Sequence, residues 1–346
     1  MPSTSSAAFV SARPRFQVDG QDQPNLNEAA LAVKVRQPLT GMASAEVLLL
    51  NWGNTGGPDP GFLFQDLRLG SKLDITLGGS DAPPCFTGEI TALEERFGEG
   101  APQLTILAED KLHRLARGRA SQAFADMSLD DVVQQLASQA GLSADVSVSS
   151  ATGTWLQVNE SPLAFLLREL APYDVSLRMV DGSLRVRDEE PDPEPFPLTP
   201  ERARLIADLN HQPTALTVKG YNLKEDATAD GTKSSLSFAP AGQTAYQELQ
   251  RLSWASPSFP PHPFARSQSE AEALAEKQFR QKASRFVHGD LSCRGDGSLR
   301  SGREVEVTGL SSRFNGKYRV VSCEHSFDST QGFCSHLQVQ RPDWTI

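Results

Sequence analysis

The chain has 346 residues, 38% of them hydrophobic, with 26 glycines and 23 prolines. That length exceeds one comfortable hydrophobic core and predicts two or three domains, and the composition suits a loop-rich, mainly β protein better than a helical bundle or a disordered chain. A formal charge of -10 at pH 7 argues against a surface that wraps duplex nucleic acid, which needs clustered lysine and arginine.

At the N-terminus, Met1-Pro2-Ser3-Thr4-Ser5-Ser6 has neither a charged n-region nor an apolar h-region, so no signal peptide and assembly in the cytoplasm are expected. No stretch approaches the roughly 18 apolar residues of a spanning helix, the best run being Val47-Leu48-Leu49-Leu50, so no membrane insertion is expected. Residues 1–118 read as a first β-barrel. Alternating segments at 15–18, 30–36 and 45–52 lead into a glycine- and proline-rich loop at 53–61. A hairpin follows: Gly70-Ser71-Lys72-Leu73-Asp74-Ile75-Thr76-Leu77, then Phe86-Thr87-Gly88-Glu89-Ile90, then a strand near 104–108. His113, in Lys111-Leu112-His113-Arg114, reads as an ordinary surface residue.

Residues 119–190 change character to a small α/β domain. Ser128-Leu129-Asp130-Asp131 is a capping box, and Leu129, Val132, Val133 and Leu136 make a helical stripe that ends at Gly141. After a strand near 145–148, Ser161 caps a second helix with Pro162 at its first position and Leu163, Leu166, Leu167 and Leu170 on one face. Strands at 175–180 and 184–187 flank Asp181-Gly182, a type I′ hairpin signal. In Asp188-Glu189-Glu190-Pro191-Asp192-Pro193-Glu194-Pro195, leading through a linker at 191–199, alternating prolines hold the chain extended and the carboxylates are expected to stay solvated.

Residues 200–346 read as a second β-barrel with an inserted loop and helix. The expected elements are a strand at 215–221, a polar mobile excursion at 224–241, a proline-rich loop at 257–264, and a helix to about 283 capped by Ser269 with Glu272 three residues on. Then come Gly302-Arg303-Glu304-Val305-Glu306-Val307, Phe314-Asn315-Gly316-Lys317-Tyr318, and a strand at 333–341. This order repeats the first hairpin: a glycine (Gly70, Gly302), an alternating strand, a turn, Phe-x-Gly (Phe86 and Gly88, Phe314 and Gly316), a second strand and a third. Mainly β with an α+β insertion, two similar barrels flanking a small α/β domain, is the fold this implies. A subunit with two similar barrels can, as a homotrimer, present six near-equivalent modules around one axis.

The chemistry-bearing residues are sparse. Cys85, Cys293, Cys323 and Cys334 show neither C-x-x-C nor dense disulfide spacing. Cys323, His325, Cys334 and His336 lie on two strands that a turn at 328–332 would pair, and with 325 opposite 334 the four would share one face. Two Cys and two His suit zinc, but a flat sheet face positions ligands poorly, so packed side chains and no metal are the expectation. No nucleophile elbow, zincin, phosphate-loop or dinucleotide fingerprint occurs. No enzymatic activity and no cofactor are expected.

The run from Ser128 to Val148, then Glu160-Ser161-Pro162-Leu163-Ala164-Phe165-Leu166-Leu167-Arg168-Glu169-Leu170-Ala171, resembles the middle of phage late control gene D proteins. Phe314, Gly316, Tyr318, Val320 and His325 resemble that family's closing F-x-G-x-Y-x-V-x-x-x-x-H strand. The family includes baseplate hubs of contractile phage tails and the N-terminal half of type VI secretion spike proteins. The resemblance implies a homotrimeric, pseudo-hexameric adaptor between a hexameric tail tube protein ring and a trimeric spike, contacting other baseplate proteins within a virion or contractile injection particle. Since the sequence reaches Ile346 soon after the last strand, it also implies a separate spike protein. The alternative is a freestanding β-rich module that binds glycan or peptide.

Overall fold

The computed structural model describes residues 13–56, 58–79, 82–223, 225–261 and 264–345. The leader reading at residues 1–6 lies outside the described residues, as do Gly57, Lys224, His262 and Pro263 of the three loops read above. With 45% strand and 17% helix, the protein is mainly β.

The first module contains β1 (Arg15–Val18), β2 (Ala30–Pro38), β3 (Ser44–Leu50), β4 (Lys72–Thr76), β5 (Phe86–Arg96) and β6 (Gln103–Glu109). They pair antiparallel throughout in the order β2-β3-β6-β5-β4-β1. Two-residue periodicity turns Val33, Val35, Val47, Leu49, Leu73, Ile75 and Ile106 into one shared core. Each such side chain contributes about 1.5–3 kcal/mol by leaving water. The short helix α1 (Pro24–Ala29) drops Leu26 into the same core.

The middle unit contains β7 (Ala120–Met127), α2 (Leu129–Gln139), β8 (Ala144–Ser147), β9 (Gly153–Glu160), α3 (Pro162–Leu170), β10 (Ser176–Val180) and β11 (Ser183–Arg187). Its local signals hold. Ser128 and Asp131 form the capping box, and Ser161 accepts from the Ala164 N–H with Pro162 at the first helical position. Asp181 and Gly182 both have positive φ, +49° and +82°, as a type I′ turn requires. The β7·β9 ribbon departs from the usual alternation: Phe124 and Trp155 bury inward with the polar Gln157, while the apolar Leu156 and Val158 face out.

Next come β12 (Phe196–Leu198), β13 (Arg202–Ala207), β14 (Ala215–Asn222), β15 (Ala227–Lys233), α4 (Ala245–Leu252), α5 (Gln268–Ala283), β16 (Val287–Arg294), β17 (Glu304–Val307), β18 (Gly316–Asp328) and β19 (Gly332–Arg341). The second module pairs β13-β16-β19-β18-β17, with β12 parallel to β17. Where the first module joins β2 to β3 through residues 39–43, the second places residues 208–286 between β13 and β16. That insertion shares a core with the middle unit: Val218, Ala229, Leu274 and Phe279 pack in one cluster with Leu136, Phe165 and Leu184.

Three details differ from the sequence reading. The cap of α5 is Ser267, whose Oγ accepts from the Glu270 N–H at 3.2 Å, two residues before Ser269. The excursion at 224–241 contains β15, where small residues replace the usual apolar ones. A side chain at Gly231 would strike the Ala271 backbone of α5, so β15 can only be small there. Helix α4 begins at a capping box, Thr244 with Gln247, a signal written in the sequence.

Lys277 and Arg280 of α5 hold Asp188 at 2.6 and 3.1 Å, and Arg280 also holds Asp174 at 2.6 Å. Burial raises the Asp174 carboxyl even against the pull of Arg280, so this residue depends on its partner. Arg280→Met is expected to cost about 1–3 kcal/mol, less than a fully buried pair because both groups are a quarter exposed. Chemical denaturation of the variant beside the parent checks this.

Candidate functional site

The two hairpins match bond for bond. Gly70, at φ +86°, donates to the Ile90 carbonyl at 2.8 Å, and the Ile90 N–H donates to Ser71 at 2.9 Å. Gly302, at φ +84°, donates to Val320 at 2.8 Å, and the Val320 N–H donates to Arg303 at 2.9 Å. A bulge follows in each, at Ile90/Ala92 and at Val320/Ser322. Ile90 and Val320 are therefore equivalent, as are β4 and β17, β5 and β18, and β6 and β19.

This register corrects one sequence equation. Leu73 lies opposite Gly88, and Val305 opposite Tyr318; Ile75 lies opposite Phe86, and Val307 opposite Gly316. The two Phe-x-Gly motifs thus sit two residues out of step, because the connection before the second strand is shorter in the second copy. Each glycine has its own reason. A side chain on Gly88 would strike the Glu109 carbonyl and the Phe86 ring. Gly316, at φ +130°, lies against the Arg341 guanidinium, which donates to Asn315 and Arg313 carbonyls at 2.8 and 2.7 Å. Tyr318 is buried and donates to the Phe314 carbonyl at 2.8 Å.

The modules meet where β18 pairs with β2, in an antiparallel register running from Ser322 opposite Pro38 to Asp328 opposite Ala32. This joins both modules into one 13-stranded sheet. On its outer face the Arg36 Nε donates to Glu324 Oε2 at 2.6 Å, with Lys34 Nζ at 3.7 Å from the other oxygen. On the inner face His325 is fully buried. Its Nε2–H donates to the Leu299 carbonyl at 2.9 Å, and its Nδ1 accepts from the Ser335 hydroxyl at 2.9 Å. Ser335 Oγ in turn accepts from the Asp296 N–H at 3.2 Å. Burial pushes the imidazole pKa down, so His325 is a neutral crosslink that holds the 295–303 loop to the sheet.

Cys323, His325, Cys334 and His336 do not converge. Asp328 pairs with Gly332 around a three-residue turn, its carboxylate accepting from the Thr330 and Gln331 N–H groups at 2.7 Å. That turn places His325 opposite Ser335 and Ser326 opposite Cys334, one residue from the expected register. Cys323 and His325 face inward, while Cys334 and His336 lie on the opposite face, His336 within 2.9 Å of Ser292 Oγ. Among the described residues, no three His, Cys, Asp or Glu side chains stand close enough to share an ion. Burial pushes the Cys85 thiol up to about 12 and that of Cys293 to about 11, which leaves both as poor nucleophiles.

His113 is buried rather than on the surface. The turn at His113–Ala116 packs it under β5, with Nε2 at 2.6 Å from Glu89 Oε2 and Nδ1 accepting from Arg117 Nε at 3.1 Å. Burial alone would raise the Glu89 carboxyl, but bonds from Arg114 and His113 hold it below the usual range. The acidic run is not merely solvated either. Glu189 pairs with Arg178 at 2.7 Å, Asp188 with Lys277, and Asp192 with Arg303 at 3.6 Å. Opposite charges elsewhere in the chain recruited these carboxylates, which the local composition could not reveal.

Two loops present aromatic surface. At 53–61 the flanking Trp52 and Phe62 stack edge to face at 5.2 Å, and Phe62 meets the exposed Phe97 at 5.9 Å. At 257–264, Phe259 and Phe264 are exposed. A cleft of about 510 Å³ beside the insertion is lined by Asp208, His211, Ser258, Lys282, Arg285 and His288, with Lys282 Nζ donating to the Ser258 hydroxyl at 2.7 Å. No helix among the described residues is long and apolar enough to cross a membrane.

The family model described as the Alg8 N-terminal domain matches residues 33–329, across both hairpins. It is this family, not that of late control gene D proteins, whose model matches. No curated protein matches the chain. Among solved structures, the chain is similar to the 43 kDa tail protein of prophage MuSo2 from Shewanella oneidensis, at 13% identity and TM-score 0.68, covering 95% of this chain and 98% of that one. It is similar to the tail protein from Neisseria meningitidis MC58, at 12% identity and TM-score 0.66, covering 96% and 99%. It is also similar to the E. coli c3393 protein, a component of the type VI secretion system, at 11% identity and TM-score 0.61, covering 94% and 76%. At such identities the likeness concerns the fold, and it extends over nearly the whole chain.

Proposed function

The chain belongs to the Alg8 N-terminal domain family, and from that premise and the tail-protein fold we propose that it is a structural hub in the baseplate of a phage tail or contractile injection system. Three copies form a ring whose six modules face a hexameric tail tube ring on one side and a trimeric spike on the other, with other baseplate proteins around it. The observation that carries this reading is the pair of equivalent modules joined in one sheet through β2 and β18. Two modules per chain give a three-fold body a nearly six-fold face. Its role is mechanical and its place is the assembled particle, with barrel 1–118 and barrel 200–346 flanking the α/β unit 119–190, to whose core the 208–286 insertion adds, and with the linker 191–199 ending in β12 of the second barrel.

Mass measurement in solution, followed by cosedimentation with purified tube protein, tests the proposal. The expected result is a trimer that binds tube rings. A strict monomer that ignores both tube and spike proteins overturns it, and would favour the freestanding binding module.

A further inference from the structure

Among the described residues, the internal repeat leaves one strand edge of each module without a partner, and the two edges are complementary by construction. Val35 pairs with Ala45, and Ala45 with Ala108; Leu205 pairs with Gly289, and Gly289 with Val339. Ala108 and Val339 are equivalent, each lying opposite its bulge residue, Ile90 or Val320. Leu205 therefore occupies the place of Val35, and β13 that of β2. Within the chain, β2 is covered by residues 322–328 of β18. The counterpart of that segment is 92–98, at the end of β5.

Both counterparts are open. Among the described residues β13 pairs only with β16, and beyond Glu89 β5 pairs only with β6. The exposure follows. Val33 and Val35 are 2% and 0% exposed beneath β18, whereas Ala203 is exposed and Leu205 half-buried. Phe327 is half-buried against β2, whereas its counterpart Phe97 is 61% exposed, and Ile206, in the place of Arg36, is 42% exposed.

We propose that β13 of one copy pairs antiparallel with residues 92–98 of a second copy, reproducing between chains the β2·β18 junction within each. The register places Arg202 opposite Gly98, Phe97 over Ala203, Glu95 opposite Leu205, and Glu94 opposite Ile206. Glu94 lies diagonal to Arg204, as Glu324 lies diagonal to Lys34. Arg96 faces Arg204, and Glu94, already 3.3 Å from Arg96, stands between them. The pairing covers two strand edges that would otherwise be sites of uncontrolled association. It rests on the hub reading only in requiring copies of the chain to assemble.

Glu94→Cys combined with Ile206→Cys, in the full chain under mild oxidation, tests the register. Covalent multimers are expected from the double variant and not from either single one, nor from Glu94→Cys with Ala203→Cys, which points to the other face. A second measurement reads the sign of the contact. Ile206→Arg recreates between copies the Arg36–Glu324 pair and is expected to tighten association about 2- to 5-fold, while Ile206→Glu weakens it by a similar factor. If both substitutions weaken association, or if the double-cysteine variant associates but does not crosslink, this interface is overturned while the hub reading stands. A monomer at all concentrations overturns both.

Discussion

His325→Ala is expected to cost about 2–4 kcal/mol of stability, since it removes a buried ring and strands the Leu299 carbonyl and the Ser335 hydroxyl. The loss should also depend on pH. Burial lowers the imidazole pKa in the folded protein, while the unfolded chain titrates near the ordinary 6.5. Below that value the unfolded state binds a proton that the folded state refuses, so the contribution of His325 is complete above about pH 6.5 and is lost as pH falls. The slope approaches about 1.4 kcal/mol per pH unit while the folded imidazole stays neutral. Denaturant titrations at pH 7.5 and 5.5 should therefore show the parent and the variant converging at the lower pH. A constant gap would mean that His325 acts through packing alone.

Identical substitutions at Gly70 and Gly302 should have unequal effects. Both residues sit at φ near +85°, so alanine strains the backbone by about 1–2 kcal/mol at either place. At Gly70 a Cβ would meet nothing within 4 Å; at Gly302 it would collide with the Arg178 guanidinium and approach Glu189 Oε2 to 2.9 Å. Gly302→Ala must displace the Arg178–Glu189 pair, which also receives the Ser176 hydroxyl at 2.6 Å. A total near 3–4 kcal/mol is expected for Gly302→Ala against about 1–2 kcal/mol for Gly70→Ala, a difference of about 2 kcal/mol between the two variants in the same denaturant series. Equal losses would show that the linker carboxylates move aside without cost.

What could be read from the residues was local and periodic. The capping at Ser128 and Ser161, the Asp181-Gly182 turn and the alternating strands are all written in short windows, and the structure keeps them. The repeat was legible as an order of strands, but its alignment was not. Phe86 and Phe314 share a motif without sharing a place, since only backbone pairing registers a loop that differs in length. One residue of turn length likewise decided whether Cys334 and His336 would join Cys323 and His325 or turn away. The junction residues Arg36 and Glu324 went unread because nothing within a single window links positions so far apart.

The β2·β18 junction makes the chain stiff. Its two modules share a sheet, so they cannot swing about the acidic, proline-rich segment that leads from the middle unit into the second module; any hinge motion must first break backbone hydrogen bonds at about 1 kcal/mol each. A pull along the strands loads the paired residues from Ala32 to Pro38 together, whereas a force that opens the sheet loads them one at a time. The molecule is a strut with a direction of strength, lying along the strands.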